Sequence, residues 1–377
     1  MSEPVYLDNH AAARPFPECI DTFLRSSKEY WGSIDSPHFI GQQQVYPLQK
    51  SVESLLSTLG AGESDEIFFT TGGAEGTYHV LFNTYVQIVR QTGKTLFLTT
   101  LIEEEATNLS LKRLEELGCA VKMLPLNSKG QVTKEILELA ITPRTVIFSL
   151  SWANGLTGVI QPVSDLAEVC KEKNILFHLD VSYLVGKSFF RFQDLGVDFL
   201  TVEGSVIHAP QGTGLILARA GSGMLPLIPG RPESIAGGAA LAQASLEMQD
   251  KFEHYCMEIV RLRDLLERGV LEGLPEAVVL FKEADRLPNC SVIAFPGVYS
   301  EALLYLLNAK GVYASNGGGK FQPLEKILLT IGIEKSIASS ALSFSLSWDT
   351  TEADIESAVQ SILSSAKQLK ICSKELF

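Results

Sequence analysis

The chain has 377 residues, of which 46% are hydrophobic, and this is enough to form a large core or two domains. Its 44 acidic and 31 basic residues give a net charge of −13, which argues against nucleic acid as a partner. The six cysteines form no Cys-x-x-Cys pair, so neither a zinc site nor a disulfide framework is expected. The sequence shows no signal peptide and no apolar run near the ~20 residues of a membrane helix. We therefore expect a protein of the reducing cytoplasm, without a metal and without a membrane partner.

From about residue 64 onward, apolar strands alternate with helical patterns. The predicted strands are 66–71, 95–100, 120–126, 145–151, 175–180, 198–202 and the GLILA run that follows them. Near-continuous β-branched and aliphatic strands, separated by helices, are typical of a mostly parallel sheet covered on both faces. One of the helices begins at the acidic triplet 103–105, which we interpret as a solvated first turn.

A second unit follows a long amphipathic helix that is predicted at 239–268. Its predicted strands are 291–295 and 342–347. The pattern predicts an α/β protein whose large domain, residues 15–255, holds a mostly parallel sheet between helices. A smaller α+β domain would comprise residues 1–14 and 256–377.

The segment TVEGSVIHAPQGTG at 201–214 is a candidate reactive loop that lacks a reactive side chain. An apolar strand runs into it, and strand ends followed by turns often present catalytic groups. The turn itself consists of Glu203, Gly204, Ser205 and Val206. It therefore contains neither an amine nor a thiol.

Several motifs, taken together, carry a resemblance to a known family. They are YLDNHAAARPFPE at 6–18, FFTTGGAEG at 68–76, SWANGLTGVIQPV at 151–163, FHLDVSYLVGK at 177–187, IHAPQGTG at 207–214 and SFSLSWDTTEADIE at 343–356. In order and spacing they resemble cysteine desulfurases, which belong to the class-V aminotransferase family and share fold type I of pyridoxal-phosphate enzymes. The resemblance implies a fold type I PLP-transferase fold, a pyridoxal phosphate cofactor, a homodimer and the removal of sulfur from L-cysteine.

The resemblance also implies a cofactor site, and some of its positions are kept. Asp180 matches the aspartate that pairs with the pyridine nitrogen, and Asn154 matches the asparagine that contacts the ring oxygen. Both lie at predicted strand ends, where α/β sheets place ligands. The alternative is that Asp180 only caps the helix or turn that follows it. Gly72 and Gly73 would still offer backbone amides to a phosphate at a helix start.

Most positions that the family uses for chemistry carry other residue types in this chain. The imine-forming lysine falls at Val206, the histidine before it at Ser205, the phosphate-binding serine at Glu203, the phosphate-binding threonine at Ala74, the ring-stacking histidine at Glu104, the glutamine near the ring hydroxyl at Tyr183, the substrate-binding arginine at Ser343 and the mobile sulfur-accepting cysteine near Gly318. Valine cannot form an imine with a carbonyl cofactor. Glu203 would face a phosphate of about −1.5 to −2 charges. One like-charge pair at ~4 Å costs ~4 kcal/mol at an effective dielectric constant of ~20.

Histidines and lysines elsewhere near the expected site are candidates for a substitute chemistry. His178 lies on a buried strand just before the aspartate, so a hydrogen-bonded core role is favoured over catalysis. His10 and His208 also fall near the site but carry little information. Lys187 matches a family lysine that does not form the imine, and Lys320 lies in the altered loop that lacks a cysteine. Both lysines are remote candidates for the missing amine.

We interpret the chain as a degenerate cysteine desulfurase-like protein that does not release sulfur from L-cysteine and carries no pyridoxal phosphate as isolated. It would act as a binding or regulatory pseudoenzyme, with a functional desulfurase or an iron–sulfur scaffold protein as its partner. One alternative is a pyridoxal-phosphate enzyme that uses Lys187, Lys320 or no lysine at all. Another is a binder of a small molecule in the remnant cleft, where Asp180 and Glu203 would favour a cation. Whether the protein is an enzyme stays open at this point.

Overall fold

The computed structural model describes residues 4–230 and 233–375. Its strands, in chain order, are β1 (Val5–Tyr6), β2 (Glu66–Thr70), β3 (Leu96–Thr100), β4 (Ala120–Leu124), β5 (Thr145–Ser151), β6 (Leu176–Asp180), β7 (Phe199–Glu203), β8 (Gly214–Ala218), β9 (Val278–Leu280), β10 (Cys290–Ala294), β11 (Val312–Tyr313) and β12 (Ala341–Ser345). Its helices are α1 (Pro17–Glu29), α2 (Phe39–Gln42), α3 (Val45–Thr58), α4 (Gly73–Thr84), α5 (Arg90–Thr92), α6 (Glu105–Glu116), α7 (Lys134–Ala140), α8 (Val163–Lys173), α9 (Phe192–Leu195), α10 (Ile235–Asp250), α11 (Phe252–His254), α12 (Val260–Gly273), α13 (Ser300–Ala309), α14 (Leu324–Thr330), α15 (Lys335–Ala338) and α16 (Glu352–Glu375). Two π-helical turns, Tyr85–Val89 and Tyr255–Ile259, continue α4 and α11, and Gly204–Val206 forms a 3-10 turn. None of the helices in these ranges is long and apolar enough to cross a membrane.

The centre of the molecule is a seven-stranded sheet with the strand order β2-β8-β7-β6-β5-β3-β4. β8 runs antiparallel to both of its neighbours, and the other adjacent strands are parallel. In β5 every residue from Thr145 to Leu150 is buried, because helices cover both faces of the sheet. The predicted mostly parallel sheet is therefore confirmed, and the observed strands lie within two residues of the predicted bounds at each end.

The carboxyl ends of the central strands position the candidate site. β5, β6 and β7 are adjacent and parallel, and they end at Ser151, Asp180 and Glu203. α4 begins at Gly73 beside the end of β7, since the Gly73 amide donates a hydrogen bond to the Glu203 side chain. The strand ends and one helix start thus converge at a single edge of the sheet, as expected for an α/β ligand site.

The second unit contains an antiparallel sheet with the order β12-β10-β9 and the long helix α16. The N-terminal strand β1 pairs in parallel with β11, with Val5 opposite Val312. The amino terminus is therefore built into this second unit, in keeping with the assignment of residues 1–14 to the smaller domain. The domain boundaries themselves stay a prediction.

The predicted continuous helix at 239–268 is wrong in one respect. α10 ends at Asp250, and Lys251 leaves the helical region of backbone conformation with φ −92° and ψ 4°. The chain then re-enters a helix through α11, a π-helical turn and α12. An amphipathic pattern does not reveal such a break, because the side chains on both sides of it still face the core. α1 and α3, which the sequence pattern did not predict, pack against α10.

Candidate functional site

The turn after β7 has the predicted position, but its side chains point to a structural role. Val206, which the resemblance matches to the family's imine-forming lysine, is 1% exposed and belongs to the main hydrophobic core. Ser205, beside it, donates its hydroxyl to the Glu203 carboxylate at 2.8 Å. The turn therefore presents neither a nucleophile nor a free side-chain donor to the cleft.

Glu203 is held by three hydrogen-bond donors from two elements. Its Oε2 accepts the Gly73 amide at 2.7 Å, and its Oε1 accepts the Ser205 amide at 3.2 Å and the Ser205 hydroxyl at 2.8 Å. A β-carbon built on Gly72 would lie 2.7 Å from Oε2, so the glycine leaves room for the carboxylate. The adjacent Ala74, at the family's threonine position, is exposed and offers no hydroxyl. The helix start that would receive a phosphate is thus bonded to a side chain of the same chain.

Asp180 ends the neighbouring strand and faces Gly73. Its Oδ1 accepts the Ser182 amide at 2.9 Å, which is the turn-capping role considered as the alternative. A β-carbon on Gly73 would lie 3.7 Å from its Oδ2. Burial raises the pKa of the Asp180 carboxyl to about 6, and the nearby Glu104 carboxylate adds to this rise. Asp180 therefore caps the turn, while its Oδ2 faces Gly73 at the start of α4.

Ser182 was missed by sequence reasoning, although it links the Asp180 carboxylate to the main chain of Glu203. Its amide donates to Asp180, and its hydroxyl accepts the Glu203 amide at 2.8 Å. The signal was present as Asp-x-Ser directly after a strand, because aspartate commonly accepts the amide two residues ahead in such turns.

Glu104 and Tyr183, which the resemblance matches to a stacking histidine and a glutamine of the family, are in contact. The Tyr183 hydroxyl donates to the Glu104 carboxylate and lies 3.4 Å from the His10 carbonyl oxygen. Burial and the Glu104 charge raise the pKa of Tyr183 well above 10.0. A β-carbon on Gly155 would lie 2.5 Å from the Phe321 ring and 2.6 Å from the Tyr183 ring, so these aromatic side chains fill the adjoining space.

The interpretation of the acidic triplet as a solvated turn is wrong for Glu103. This side chain is 3% exposed and accepts hydrogen bonds from the Thr100 hydroxyl at 2.5 Å, the Ser151 amide at 2.9 Å and the Ser151 hydroxyl at 2.7 Å. Burial raises its pKa to about 7, although these hydrogen bonds oppose the rise. Glu103 instead joins the ends of β3 and β5, and only Glu105 lies in the first turn of α6.

The side chains of Asn154 and Ser343 are both hydrogen-bonded to backbone groups, and both bond to Leu156. The Asn154 amide group donates to Ile102 O at 2.9 Å, and its Oδ1 accepts the amides of Leu156 and Thr157. Ser343, at the substrate-arginine position, is buried and donates its hydroxyl to Leu156 O at 2.6 Å. Neither residue can bind a carboxylate as arginine would.

The loop around Gly318 is fastened to the start of α6. Gly317, Gly318 and Gly319 all have positive φ values between 65° and 90°, a conformation that favours glycine. Lys320 O accepts the Glu105 amide at 2.9 Å. Gln322, also missed by sequence reasoning, donates its side-chain amide to Leu101 O at 2.9 Å and to Glu103 O at 2.8 Å. This loop, which the resemblance matches to the segment with the family's mobile cysteine, is thus held by hydrogen bonds and contains no thiol.

The three histidines expected near the site, His10, His178 and His208, are hydrogen-bonded to other groups of the fold. The His178 ring contacts the hydroxyls of Ser149 at 2.8 Å and Thr201 at 3.1 Å, which confirms its interpretation as a hydrogen-bonded core residue. His10 contacts Gly155 O at 2.8 Å, and His208 contacts Arg14 O at 2.7 Å. Burial lowers the pKa of His178 and His10 to about 3 and that of His208 to about 4, so their rings are neutral near pH 7.

The two candidate lysines lie in different surroundings. Lys187 is 5% exposed, and its Nζ lies 5.5 Å from the centre of the Tyr255 ring. Burial lowers the pKa of Lys187 to about 7. Lys320 is half-buried, and its Nζ lies 5.3 Å from the centre of the Tyr183 ring. Its charge lowers the pKa of Asp180 against the larger effect of burial, so Lys320 is the amine nearer to the candidate site.

These residues do not fit pyridoxal phosphate, the cofactor that the resemblance implies. The amides and hydroxyl that would bind its phosphate are bonded to Glu203, and a phosphate there would meet a like charge. Val206, which the resemblance matches to the imine-forming lysine, is a buried apolar side chain. Nor do the described residues contain a group of three or more His, Cys, Asp or Glu side chains able to hold a metal ion.

Comparisons with known proteins identify the family. The family model of class-V aminotransferases matches residues 5–254. The chain is 31% identical to a cysteine desulfurase of Bradyrhizobium diazoefficiens over 390 residues, covering 99% of this chain and 98% of the relative. It is 31% identical to the cysteine desulfurase NifS of Azotobacter vinelandii over 382 residues, covering 97% and 93%.

Solved structures agree with this result. A structure described as a NifS-like protein superposes with a TM-score of 0.88 at 28% identity, covering 96% of this chain and 98% of the other. A NifS-like protein from Rickettsia africae superposes with a TM-score of 0.86 at 22% identity, which supports the fold alone. The chain therefore belongs to the class-V aminotransferase family, among its cysteine desulfurase-like members.

Proposed function

We propose that this protein is a degenerate cysteine desulfurase-like protein that acts by binding and does not release sulfur from L-cysteine. The observation that carries the proposal is Val206, an apolar side chain with 1% exposure at the position of the imine-forming lysine. Imine exchange needs a primary amine at that point, and valine has none. The family's chemistry therefore has no nucleophile at its first step.

Two further positions support the same conclusion for later steps. Desulfuration also needs a group that orients the substrate carboxylate and a thiol that accepts the sulfur. Ser343 replaces the arginine and is bonded to Leu156 O at 2.6 Å. The loop at 317–322 has no cysteine and is fastened by Gln322. Three independent requirements are thus missing, so one substitution would not restore the activity.

As a binding protein, the chain is proposed to form a homodimer or a mixed dimer with a functional desulfurase. Three large aromatic side chains on the segment around α2 are strongly exposed: Trp31 at 72%, Phe39 at 74% and Tyr46 at 71%. Aromatic residues are enriched at protein interfaces, where they bury much area at low entropy cost. The other candidate partner is an iron–sulfur scaffold protein. It would be the acceptor on which such a dimer acts.

We place this function in the cytoplasm. The side chains of Cys19, Cys119, Cys170, Cys256 and Cys290 are free thiols. Free thiols at most of the cysteines are typical of a reducing compartment. Immunolocalisation or fractionation with a periplasmic or secreted marker tests this assignment.

The experiment on activity compares the purified protein with a functional desulfurase of the same family. Both are incubated with L-cysteine, pyridoxal phosphate and a reductant, and sulfide is measured. We expect this protein to give no more sulfide than free pyridoxal phosphate alone. Addition of this protein to the functional enzyme should change the rate at which that enzyme releases sulfide. Otherwise it should change the mass of that enzyme's oligomer, which is measured separately. Turnover well above the cofactor blank would overturn the proposal.

The second candidate function is a pyridoxal-phosphate enzyme that uses Lys320. It is favoured over use of Lys187 because Lys320 lies by the Tyr183 ring and its charge acts on Asp180, whereas Lys187 is buried against Tyr255. Borohydride reduction with pyridoxal phosphate, followed by peptide mass spectrometry, tests it. Label at Lys320 that is abolished in Lys320→Met, but not in Lys187→Met, would support this candidate over the first.

A binder of a small molecule in the remnant cleft, where Asp180 and Glu203 would favour a cation, is the third candidate function. The acidic groups of the cleft already have an internal cation, since the Lys320 charge lowers the pKa of both Asp8 and Asp180. Burial nevertheless raises the pKa of each carboxyl to about 6. An added small cation would have to compete with a tethered ammonium group.

A further inference from the structure

The start of α4 and the turn after β7 form a set of donors that converges on one point. The Gly73 amide opens the helix, and the Ser205 amide and hydroxyl come from the 3-10 turn. All three donate to the Glu203 carboxylate, at 2.7, 3.2 and 2.8 Å respectively. Helix amino termini and such turns favour anions because their amides point outward and are otherwise unpaired.

The backbone around this point is shaped to admit the carboxylate. A β-carbon on Gly72 would lie 2.7 Å from Glu203 Oε2, and one on Gly73 would lie 3.2 Å from Glu203 Cβ. The Glu203 amide is in turn fixed by the Ser182 hydroxyl at 2.8 Å. The side chain is therefore held at both its backbone and its carboxylate end.

We infer that Glu203 is a built-in occupant of the anion cradle formed by Gly73 and Ser205, and that it makes the cleft reject phosphate-bearing ligands. An external phosphate must displace this carboxylate or lie beside it. A like-charge contact at ~4 Å weakens binding by roughly 1,000-fold. Glu203 is thus the residue that determines the charge class of ligand at this site.

This inference deepens the proposed function, because it concerns the same cleft, but it can fail separately. It needs neither a cofactor nor sulfur chemistry for its test. A protein that binds phosphate well despite Glu203 could still lack desulfurase activity, and a protein that rejects phosphate could still act on another substrate.

The test measures binding of inorganic phosphate to the full chain. Wild type, Glu203→Ser and Glu203→Gln are compared by thermal unfolding and by phosphorus NMR, with sodium chloride added to keep the ionic strength constant. Ser is the residue type of the family, and Gln keeps the shape of the side chain without its charge. The matched control is Glu75→Gln, which removes one carboxylate from the first turn of the same helix, where it accepts the Thr71 amide at 2.9 Å.

We expect phosphate to bind both Glu203 variants at least ~100-fold more tightly than it binds wild type or Glu75→Gln. Phosphate should correspondingly raise the unfolding temperature of the Glu203 variants alone. If Glu203→Ser does not fold, the isosteric Glu203→Gln decides the outcome. Equal phosphate affinity in wild type and in a folded Glu203 variant, whether high or undetectable, would overturn the inference.

Discussion

Asp180 and Glu203 end neighbouring parallel strands and both face Gly73, yet the two carboxylates lie in opposite chemical surroundings. Asp180, which the resemblance matches to the aspartate of the family's ring nitrogen, has one amide donor, from Ser182, and a nearby like charge from Glu104. Glu203, which the resemblance matches to a serine of the family, has three donors. Asp180 is thus the less stabilised carboxylate, because it accepts fewer hydrogen bonds and lies beside a like charge.

The difference shows how two carboxylates at one edge of a sheet can have different roles. In a cofactor site the helix start and the strand-end aspartate would bind two parts of one molecule. Here a side chain from the turn occupies the helix start, and the Tyr183–Glu104 pair lies near the aspartate. Kept residues are therefore poor evidence of a kept function, because their role depends on neighbours that can be replaced.

The largest effect is expected from Val206→Lys, which restores the missing amine to the turn. Burial of a charged group at a position with 1% exposure should cost about 3–5 kcal/mol, even where Glu203 pairs with it. Sulfide release from L-cysteine should stay at the level of the cofactor blank. Urea unfolding measures the first result and the sulfide assay the second.

Val206→Met is the matched control for this variant, because it has similar length without a charge. It should cost distinctly less stability than the lysine variant. Substantial turnover by Val206→Lys alone would mean that Ser343 and the loop at 317–322 do not matter, and the pseudoenzyme proposal would then be wrong.

The second-largest effect is expected from changes to Glu203 and to the Ser205 hydroxyl, which donates a hydrogen bond to it. Glu203→Gln should cost about 2–3 kcal/mol in the free energy of unfolding, because donors at a charged acceptor are left poorly paired. Combined with Ser205→Ala in a double-mutant cycle, the coupling should be about 1–2 kcal/mol. Strict additivity of the two single changes would show that the 2.8 Å contact contributes nothing.

A smaller effect of opposite sign is expected from Asp180→Asn. The folded-state pKa of Asp180 is about 6 and the ordinary value is 3.8, so the fold disfavours the ionised form. The ionised group therefore lowers stability above pH 6, and this cost disappears as the pH falls from about 6 to about 4. Asn can still accept the Ser182 amide, so the variant should be about 1–2 kcal/mol more stable than wild type at pH 7.5.

The measurement is the difference in unfolding free energy between Asp180→Asn and wild type at several pH values. The difference should shrink towards zero near pH 4. Asp165→Asn, at an exposed position in the first turn of α8, is the control for removal of one charge. A loss of stability in Asp180→Asn at pH 7.5 would indicate that the aspartate is stabilised by its surroundings after all.

The smallest effect is expected from Lys320→Met. Removal of this half-buried charge should change stability by less than ~1 kcal/mol. Since Lys320 lowers the pKa of Asp180 and Asp8, both carboxyls should titrate at a higher pH in the variant. Carbon-13 NMR of the carboxyl groups follows this shift, and the exposed Lys326 on α14 provides the control variant Lys326→Met. Unchanged titration of Asp180 would show that Lys320 does not reach the cleft in solution.

The sequence by itself determined the sheet, the family and the missing amine. Strands such as TVIFSLS at 145–151 are recognisable because burial on both faces demands continuous apolar residues. The identity of Val206 is likewise a property of the sequence, and no fold can supply a nitrogen that valine lacks. The break at Lys251 was not predictable, because side-chain periodicity continues across a change of backbone angle.

Only the tertiary structure decided what the remaining polar residues do. Glu203 and Gly73 are 130 positions apart, Tyr183 and Glu104 are 79 apart, and Gln322 donates to a carbonyl 219 positions away. A composition pattern reports whether a side chain is apolar, but a hydrogen bond depends on which strand ends and helix starts are brought within about 3 Å of each other. The acidic triplet illustrates this limit. Glu103 is buried and bonded to Ser151, Glu104 accepts the Tyr183 hydroxyl, and Glu105 lies in the first turn of α6. Three identical residues in a row thus have three roles, because each points to a different neighbour in the folded chain.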